Sequence, residues 1–273
     1  VSTVGKISAS SEVAVIIDPK HDVISRYEAK YLIDERTARA IAKNIRGYCS
    51  PDEHVDANGR YIVNNLYLET SELRFYYDTK FKEFNRFKPR VRFYGMEPES
   101  YLWVELKHKI KNVTWKTRRR IGVSEWPGLL QMSESFEGPA RKVQLTDSFE
   151  GVVMRFQARP MLHVRYVREP YVSNFENYGR VTFDRCLTFR LAHGSYDLSS
   201  DCEMCCYDDS ETTMYSDESP VILEIKTETL VPKWVVQLIQ RFDLTQRGFS
   251  KYCYAIDNTL LAATSGDRQS AFL

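Results

Sequence analysis

Five separate stretches of this chain carry charged side chains at every second position. They are Arg26, Glu28 and Lys30; Arg90 and Arg92; Glu105, Lys107 and Lys109; Lys116, Arg118 and Arg120; and Glu224, Lys226 and Glu228. In extended backbone, residues i and i+2 share a face, so each set forms a row. The neighbours of opposite parity are often apolar: Tyr27, Val91, Phe93, Val104, Leu106, Leu223 and Ile225. For a single strand, the plain expectation is that the apolar row is buried and the charged row faces water. Five rows of similar make-up, one or two carboxylates beside Lys or Arg, favour another arrangement. If the sheet closes into a barrel, the charged rows line its interior and the apolar rows carry helices outside. Unpaired ions are costly to bury, so such an interior makes sense as a wet channel for a polyanion. Arg and Lys bind phosphate oxygens, and carboxylates hold a divalent cation.

The charge distribution agrees with a focused anion site. Residues 74–120 contain 14 Lys or Arg and 5 Asp or Glu, whereas residues 201–218 contain seven acids and no base. The whole chain is nevertheless near neutral, at +1 over 273 residues, which excludes a uniformly basic nucleic-acid coat. Hydrophobic residues make up 43% and charged residues 27%, a globular balance. No apolar run approaches the ~20 residues that span a bilayer. The opening VSTVGKISASSEVAVIID has no basic start followed by a long apolar run, so no secretory signal is expected and a cytoplasmic location is. The six cysteines are irregularly spaced, which favours reduced thiols. Cys202, Cys205 and Cys206 lie in an acidic, aperiodic segment, expected to be a loop at about 196–219; a zinc site there is the minor alternative. The five histidines, His21, His54, His108, His163 and His193, have no metal-ligand spacing and read as surface or packing residues.

Elements that would position the charged rows follow from periodicity. A lead-in over 1–22, with a short strand at Val13–Ile17, precedes one domain over 23–260 and a tail over 261–273. Strands are expected at SRYEAKYLID, NGRYIVNNLYLET, KPRVRFYG, YLWVELKHKI, TWKTRRRIGV, ARPMLHVRYVREPYV, GRVTFDRCLTFRL and VILEIKTE. Asp34 caps a helix that Gly47 and Pro51 end. Residues 124–157 are expected to be helical, and VPKWVVQLIQRFDL is an amphipathic helix with Trp234, Leu238 and Ile239 on its stripe. LRFYYDTKFKEFNR is a short helix or loop, and FSKYCYAIDN a final short element. Few strands alternate with helices, so the fold class is α+β, an antiparallel barrel of about eight strands with flanking helices.

The segments RYEAKYLI, KPRVRFYG, WVELKHK, WKTRRR, YVREPYV, RVTFDRCLTFR, VILEIKT, VPKWVVQLI and FSKY resemble, in order and over roughly residues 25–258, the motifs of the VTC domain. This is the polyphosphate polymerase branch of the triphosphate tunnel metalloenzymes. The resemblance implies a barrel tunnel and transfer of the ATP γ-phosphoryl group to a growing inorganic polyphosphate chain, with Mn2+ or Mg2+. It implies catalytic roles for Lys30, Arg90, Arg92, Lys107 and Glu224. Arg26, Lys109, Lys116, Arg118, Arg168, Arg180, Lys226 and Lys251 would bind phosphate. Glu224 would hold the metal, with Glu28 and Glu105 as weaker candidates; Glu105 could instead orient a lysine. Arg165 has the opposite parity from Arg168, and the match favours Arg168 as the one facing the tunnel.

Hydrolytic members of the superfamily carry ExExK in the first strand. Here Arg26 replaces the first carboxylate, which weakens the triphosphatase and adenylate cyclase readings, while Glu28 keeps hydrolysis open. A polyanion-binding module without catalysis is the third reading. The sensing domain and membrane helices of eukaryotic members are not seen in these residues, so vacuolar translocation is not carried over. Nucleic acid is not an expected partner, because no stacking or base-reading motif is visible. Trp103, Trp115 and Trp234 read as core and wall residues, with Trp103 near the tunnel mouth.

Overall fold

The computed structural model describes residues 26–110, 113–132, 148–199, 204–206, 216–228 and 230–261. The expected strand at Val13–Ile17, the tail, Cys202 and most of the acidic loop lie outside these residues.

Strand β1 (Arg26–Asp34) runs into helix α1 (Glu35–Ile45). Asp34 is extended, and its carboxylate accepts from the Thr37 amide at 2.6 Å, which satisfies one of the orphan donors of the first turn. Ala38, Ile41, Ala42 and Ile45 then recur on one buried stripe. The chain continues through β2 (Cys49–Pro51), β3 (Tyr61–Glu69), α2 (Arg74–Lys80), β4 (Asn85–Tyr94), β5 (Tyr101–Ile110) and β6 (Val113–Gly122). After α3 (Gly128–Met132) and α4 (Phe149–Arg155) come the long strands β7 (Arg159–Ser173) and β8 (Gly179–Leu191). The two-residue strand β9 (Cys205–Cys206), β10 (Pro220–Glu228), α5 (Lys233–Arg241) and α6 (Lys251–Ile256) complete the described elements, with a wider helical turn over Asp257–Leu261. Among the described residues no helix is long and apolar enough to cross a membrane.

All ten strands of the described residues join one antiparallel sheet, ordered β1-β10-β8-β7-β3-β4-β5-β6, with β2 on β7 and β9 on β8. The two ends of this path, β1 and β6, share no ladder among the described residues, so closure by hydrogen bonds, expected for a barrel, is not found. The sheet nevertheless curls strongly. Lys107 of β5 lies within electrostatic reach of Glu28 and Lys30 of β1 and of Lys226 of β10, although several strands separate them along the path.

The apolar rows face outward. One outer cluster packs Leu66, Val91, Phe93, Val104 and Leu106 against Phe149 and Val152 of α4. A second packs Ala29, Tyr31, Phe183, Leu223 and Ile225 against Ile41 and Ile45 of α1 and Trp234 and Leu238 of α5. Each fully buried large apolar side chain contributes about 1.5–3 kcal/mol, so helix docking on this face holds the charged rows on the other. The concave side is not wholly polar. Val63, Tyr67, Leu162, Val164 and Ile222 pack there against Tyr252, Ala255 and Ile256 of α6. Buried Glu69 secures that helix: its carboxylate accepts from the Tyr252 hydroxyl and from the amides of Thr70, Phe75 and Tyr76.

Between Arg165 and Val167 the ladder to β8 shifts register, because β8 carries an extra residue near Cys186, whose φ is +50°. Alternation along β7, regular against β3, turns Arg165 to Asn64 on the convex side, at 2.8 Å, and Arg168 to Asp184 on the concave side. The acidic segment is also not irregular throughout. Cys205 and Cys206 pair with Phe189 and Thr188 of β8, and the Thr188 hydroxyl approaches the Met204 sulfur at 3.7 Å.

Candidate functional site

On β4, β5 and β6 the charged rows meet at Glu105. The register sets Arg90 opposite Glu105 on one side and Arg118 opposite it on the other, so the row spacing itself surrounds this carboxylate with cations. Arg90 Nε and Nη2 both reach Glu105 Oε2 at 2.7 Å. Lys116 Nζ donates to Oε1 at 2.6 Å, with Arg118 Nε 3.2 Å from the same oxygen, and Arg92 Nε lies 3.8 Å from Oε2. Glu105 is fully buried. Burial works to raise its carboxyl; Arg90, then Arg92 and Lys116, outweigh that and hold it well below the usual carboxylate range. Its surroundings are those of an orienting anion. Tyr67 Oη accepts from Arg90 at 3.2 Å, Asn65 Oδ1 from Arg92 at 2.9 Å and Tyr94 Oη from Arg118 at 3.1 Å. The Arg118 guanidinium also lies 3.6 Å from the Trp103 ring centre.

The opposite wall is formed by β1 and β10, where Lys30 pairs with Glu224 and Glu28 with Lys226 in register. Lys30 Nζ sits 3.0 Å from Glu28 and 3.3 Å from Glu224, and Lys226 Nζ donates to Glu224 Oε2 at 2.8 Å. Burial opposes the Lys30 ammonium, but Glu224 and Glu28 hold its pKa above the ordinary value. Burial likewise opposes the Glu224 carboxylate, and Lys226, then Lys30, keep it well below its ordinary range.

A third ion group joins β7, β8 and α6. Asp184 accepts from Arg168 Nε at 2.6 Å through Oδ1 and from Nη2 at 2.8 Å through Oδ2, and Lys251 Nζ lies 2.6 Å from the same Oδ2. Ser250 caps α6 by accepting from the Cys253 amide, and the same hydroxyl accepts from Lys88 at 3.3 Å. The start of α6 therefore bridges β4 and β8 across the concave side. Burial, with Lys107, Lys30 and Arg90 nearby, pushes Lys88 down to about 8. Burial is also the main cause of the lowered pKa of Lys107.

Lys30, Arg90, Arg92, Glu105, Lys107, Lys116, Arg118, Arg168, Glu224, Lys226 and Lys251 are thus brought to the concave side with Glu28. Arg180 shares that face, opposite Lys226, but is exposed. Lys109 lies near the strand end, opposite Arg86. Neither makes an ion pair among the described residues. Arg26 begins β1 opposite Glu228; its side chain lies outside the described set. Sequence reasoning missed Lys88 and Asp184. The run Lys88-Pro-Arg90-Val-Arg92 carries a parity signal for the first, and Arg180, Thr182 and Asp184 share one for the second.

Among the described residues, no group of three or more His, Cys, Asp or Glu side chains assembles a metal cage. Glu28 and Glu224 do lie within hydrogen-bond reach of one another. Lys30 Nζ, 3.0 Å from Glu28 and 3.3 Å from Glu224, offsets their mutual repulsion, in the place a divalent cation would share or take. As hard oxygen donors the two carboxylates suit Mg2+ or Mn2+, whose remaining ligands come from phosphates and water. The residues present therefore fit a divalent cation at Glu28 and Glu224.

Fold and site define an α+β protein whose curled antiparallel sheet presents a cation-rich concave face. The VTC domain matches residues 25–260, and the chain belongs to that family. No curated protein matches it. Among solved structures, a candidate adenylate cyclase from Bacillus halodurans is similar at 14% identity, covering 82% of this chain and 92% of its own, with a TM-score of 0.45. A candidate adenylyl cyclase from Hippeastrum with a dominant triphosphatase activity is similar at 14% identity, covering 89% and 96%, with a TM-score of 0.41. A Pyrococcus horikoshii protein is similar at 11% identity, covering 88% and 99%, with a TM-score of 0.40.

Proposed function

We propose that this protein is a polyphosphate polymerase. It transfers the γ-phosphoryl group of ATP to the end of a growing inorganic polyphosphate chain held in the concave face, which acts as a tunnel. One observation carries this reading. Cations from β1, β4, β5, β6, β7, β10 and α6 converge on one face, and the carboxylates among them are already engaged with Lys or Arg. Such a face can neutralise a chain of phosphates. It offers no free carboxylate, among the described residues, to take a proton from water, which favours an ionised phosphate acceptor over hydrolysis.

In the proposed reaction, a terminal oxygen of the polyphosphate chain attacks the γ-phosphorus. The bond from that phosphorus to the β,γ-bridging oxygen breaks, and ADP leaves. Phosphoryl transfer spreads charge over the equatorial oxygens, so positioning and electrostatic stabilisation account for most of the catalysis. Arg90, Arg92 and Lys107 would hold these oxygens from one wall, and Lys30, Lys226 and Arg168 from the other. Glu105 and Asp184 fix the direction of the guanidinium groups. A divalent cation held by Glu224 and Glu28 supplies Lewis-acid polarisation and charge neutralisation when bound.

Incubation of the purified chain with ATP and Mn2+ or Mg2+ tests the proposal. Long phosphate chains resolved by electrophoresis are the expected product. Release of orthophosphate alone indicates the triphosphate hydrolase, and affinity without turnover indicates a polyanion-binding module. Glu224→Ala is expected to abolish turnover and keep part of the triphosphate affinity; unchanged turnover removes Glu224 from the mechanism.

A further inference from the structure

A second basic cluster lies on the convex side of the sheet, on the other surface of the strands that carry Arg168 and Asp184. His163 and Arg165 belong to β7, and Arg190 of β8 stands directly opposite His163. Asn64 of β3 stands opposite Arg165. Its amide is fixed in orientation, because Nδ2 donates to the Gly95 carbonyl at 2.7 Å. Asn64 Oδ1 therefore accepts from both His163 Nε2, at 2.9 Å, and Arg165 Nε, at 2.8 Å. Nε2 must carry the ring proton, which leaves Nδ1 of the neutral imidazole with a lone pair. Asn64 and His163 are both 0% exposed, and Phe93 packs beside the ring.

Among the described residues the cluster lacks the direct ion pairs that characterise the concave face. Neither Arg165 nor Arg190 forms an ion pair among the described residues. Asp197 is within electrostatic reach of Arg190 and His163 without pairing directly with either; its carboxylate oxygens accept from the Ser199 amide at 2.9 Å and the Ser199 hydroxyl at 2.7 Å. Three of its buried nitrogens have no hydrogen-bond partner among the described residues: His163 Nδ1, Arg165 Nη2 and Arg190 Nη2. Burial, then Arg190 and Arg165, pushes the His163 imidazolium down to about 3, so the ring is neutral. Two neighbouring guanidinium groups beside a neutral imidazole, with donors unmet, gain nothing for stability. They are the complement of an oxyanion that is also able to donate a proton.

We propose that this cluster is a binding site for inorganic orthophosphate, separate from the concave face. Arg165 and Arg190 donate to the anionic oxygens, and His163 Nδ1 accepts from the P–OH group. Both protonation states of orthophosphate near neutrality keep such a hydroxyl, whereas sulfate has none. The assignment does not depend on polymerase activity.

Titration of the 15N-histidine-labelled full chain with orthophosphate tests it, with sulfate at matched ionic strength as the comparison. The His163 resonances are assigned by their loss in His163→Gln, and none of the residues brought to the concave side is a histidine. Orthophosphate is expected to give a saturable shift at His163 Nδ1. Sulfate, which leaves a buried acceptor unsatisfied, is expected to bind on the order of tenfold more weakly or worse. Arg190→Gln and Arg165→Gln are each expected to weaken the orthophosphate response on the order of tenfold while the circular dichroism spectrum is kept. The absence of a saturable shift, an equal response to sulfate, or an unchanged response in both arginine variants would overturn the assignment.

Discussion

Replacing Glu105 by Gln removes one charge and almost no volume from the centre of the concave wall, so its consequence is electrostatic. The lost carboxylate is the shared partner of Arg90, Arg92, Lys116 and Arg118. Breaking a buried ion group by removing one partner costs about 3–5 kcal/mol. The side chains of Lys116 and Arg118 are 38% and 36% exposed and can regain water, whereas those of Arg90 and Arg92 are 19% and 11% exposed and cannot do so easily. The lower end of the range, about 3 kcal/mol, is therefore expected. For a domain of this size it corresponds to roughly 6–12 °C in the melting midpoint. A polyanion restores the missing negative charge, so saturating tripolyphosphate should raise the midpoint of Glu105→Gln by several degrees more than that of the wild type. Scanning calorimetry with and without tripolyphosphate measures both quantities. A variant that melts within about 2 °C of wild type, or that gains no more than wild type from the ligand, would refute the argument that Glu105 balances these cations.

Two further expectations follow from the titrating groups. Lys88 is pushed down to about 8 by burial, and an anion is held only by its protonated form. Tripolyphosphate affinity should therefore fall on the order of tenfold as pH rises through about 8. Lys88→Met should flatten that dependence in calorimetric titrations between pH 7 and 9.5; a steep profile that survives in the variant assigns it to another group. Burial works to raise Asp184, but Arg168 and Lys251 hold it at about 2 against an ordinary 3.8. A depressed carboxyl contributes stability above its unfolded pKa and loses it as pH falls through the folded value. Asp184→Asn should thus cost on the order of 2 kcal/mol near neutrality, with the gap to wild type closing between about pH 4 and pH 2 in denaturant melts. A gap that stays constant over that interval would contradict the linkage.

The strands and their charged faces were legible because the signal is local. Period-two rows such as Glu105, Lys107 and Lys109 need only the pleat to share a side, and Asp34 before an amphipathic run needs only cap chemistry. What was not legible depends on distant pairing. That Arg118 and Arg90 both stand opposite Glu105 is a matter of register between separate strands, and it turns a nominal metal candidate into the hub of four cations. The lack of a β1–β6 ladder among the described residues is a global property of twist and stagger, which no row of alternating residues encodes. The short strand β2 was missed because three residues carry no periodicity; it exists by pairing with Tyr171–Ser173 of β7. The position of α6 was hidden for another reason. Its apolar residues Tyr252, Ala255 and Ile256 look like any short helix, and only the inward apolar row of β3 and β7 shows where they dock. The separation of Arg165 and Arg168 to opposite faces, by contrast, was legible from their parity alone.

The central claim is that the concave face threads a string of phosphates between its two basic walls. A crystal structure of the chain with tripolyphosphate and Mn2+ tests it most directly. The account predicts phosphate density between Arg90, Arg92 and Lys107 on one side and Lys30, Lys226 and Arg168 on the other, with an anomalous manganese peak at Glu224 and Glu28. Phosphates confined to the convex surface, with the concave ion pairs undisturbed and no manganese at Glu224, would contradict it.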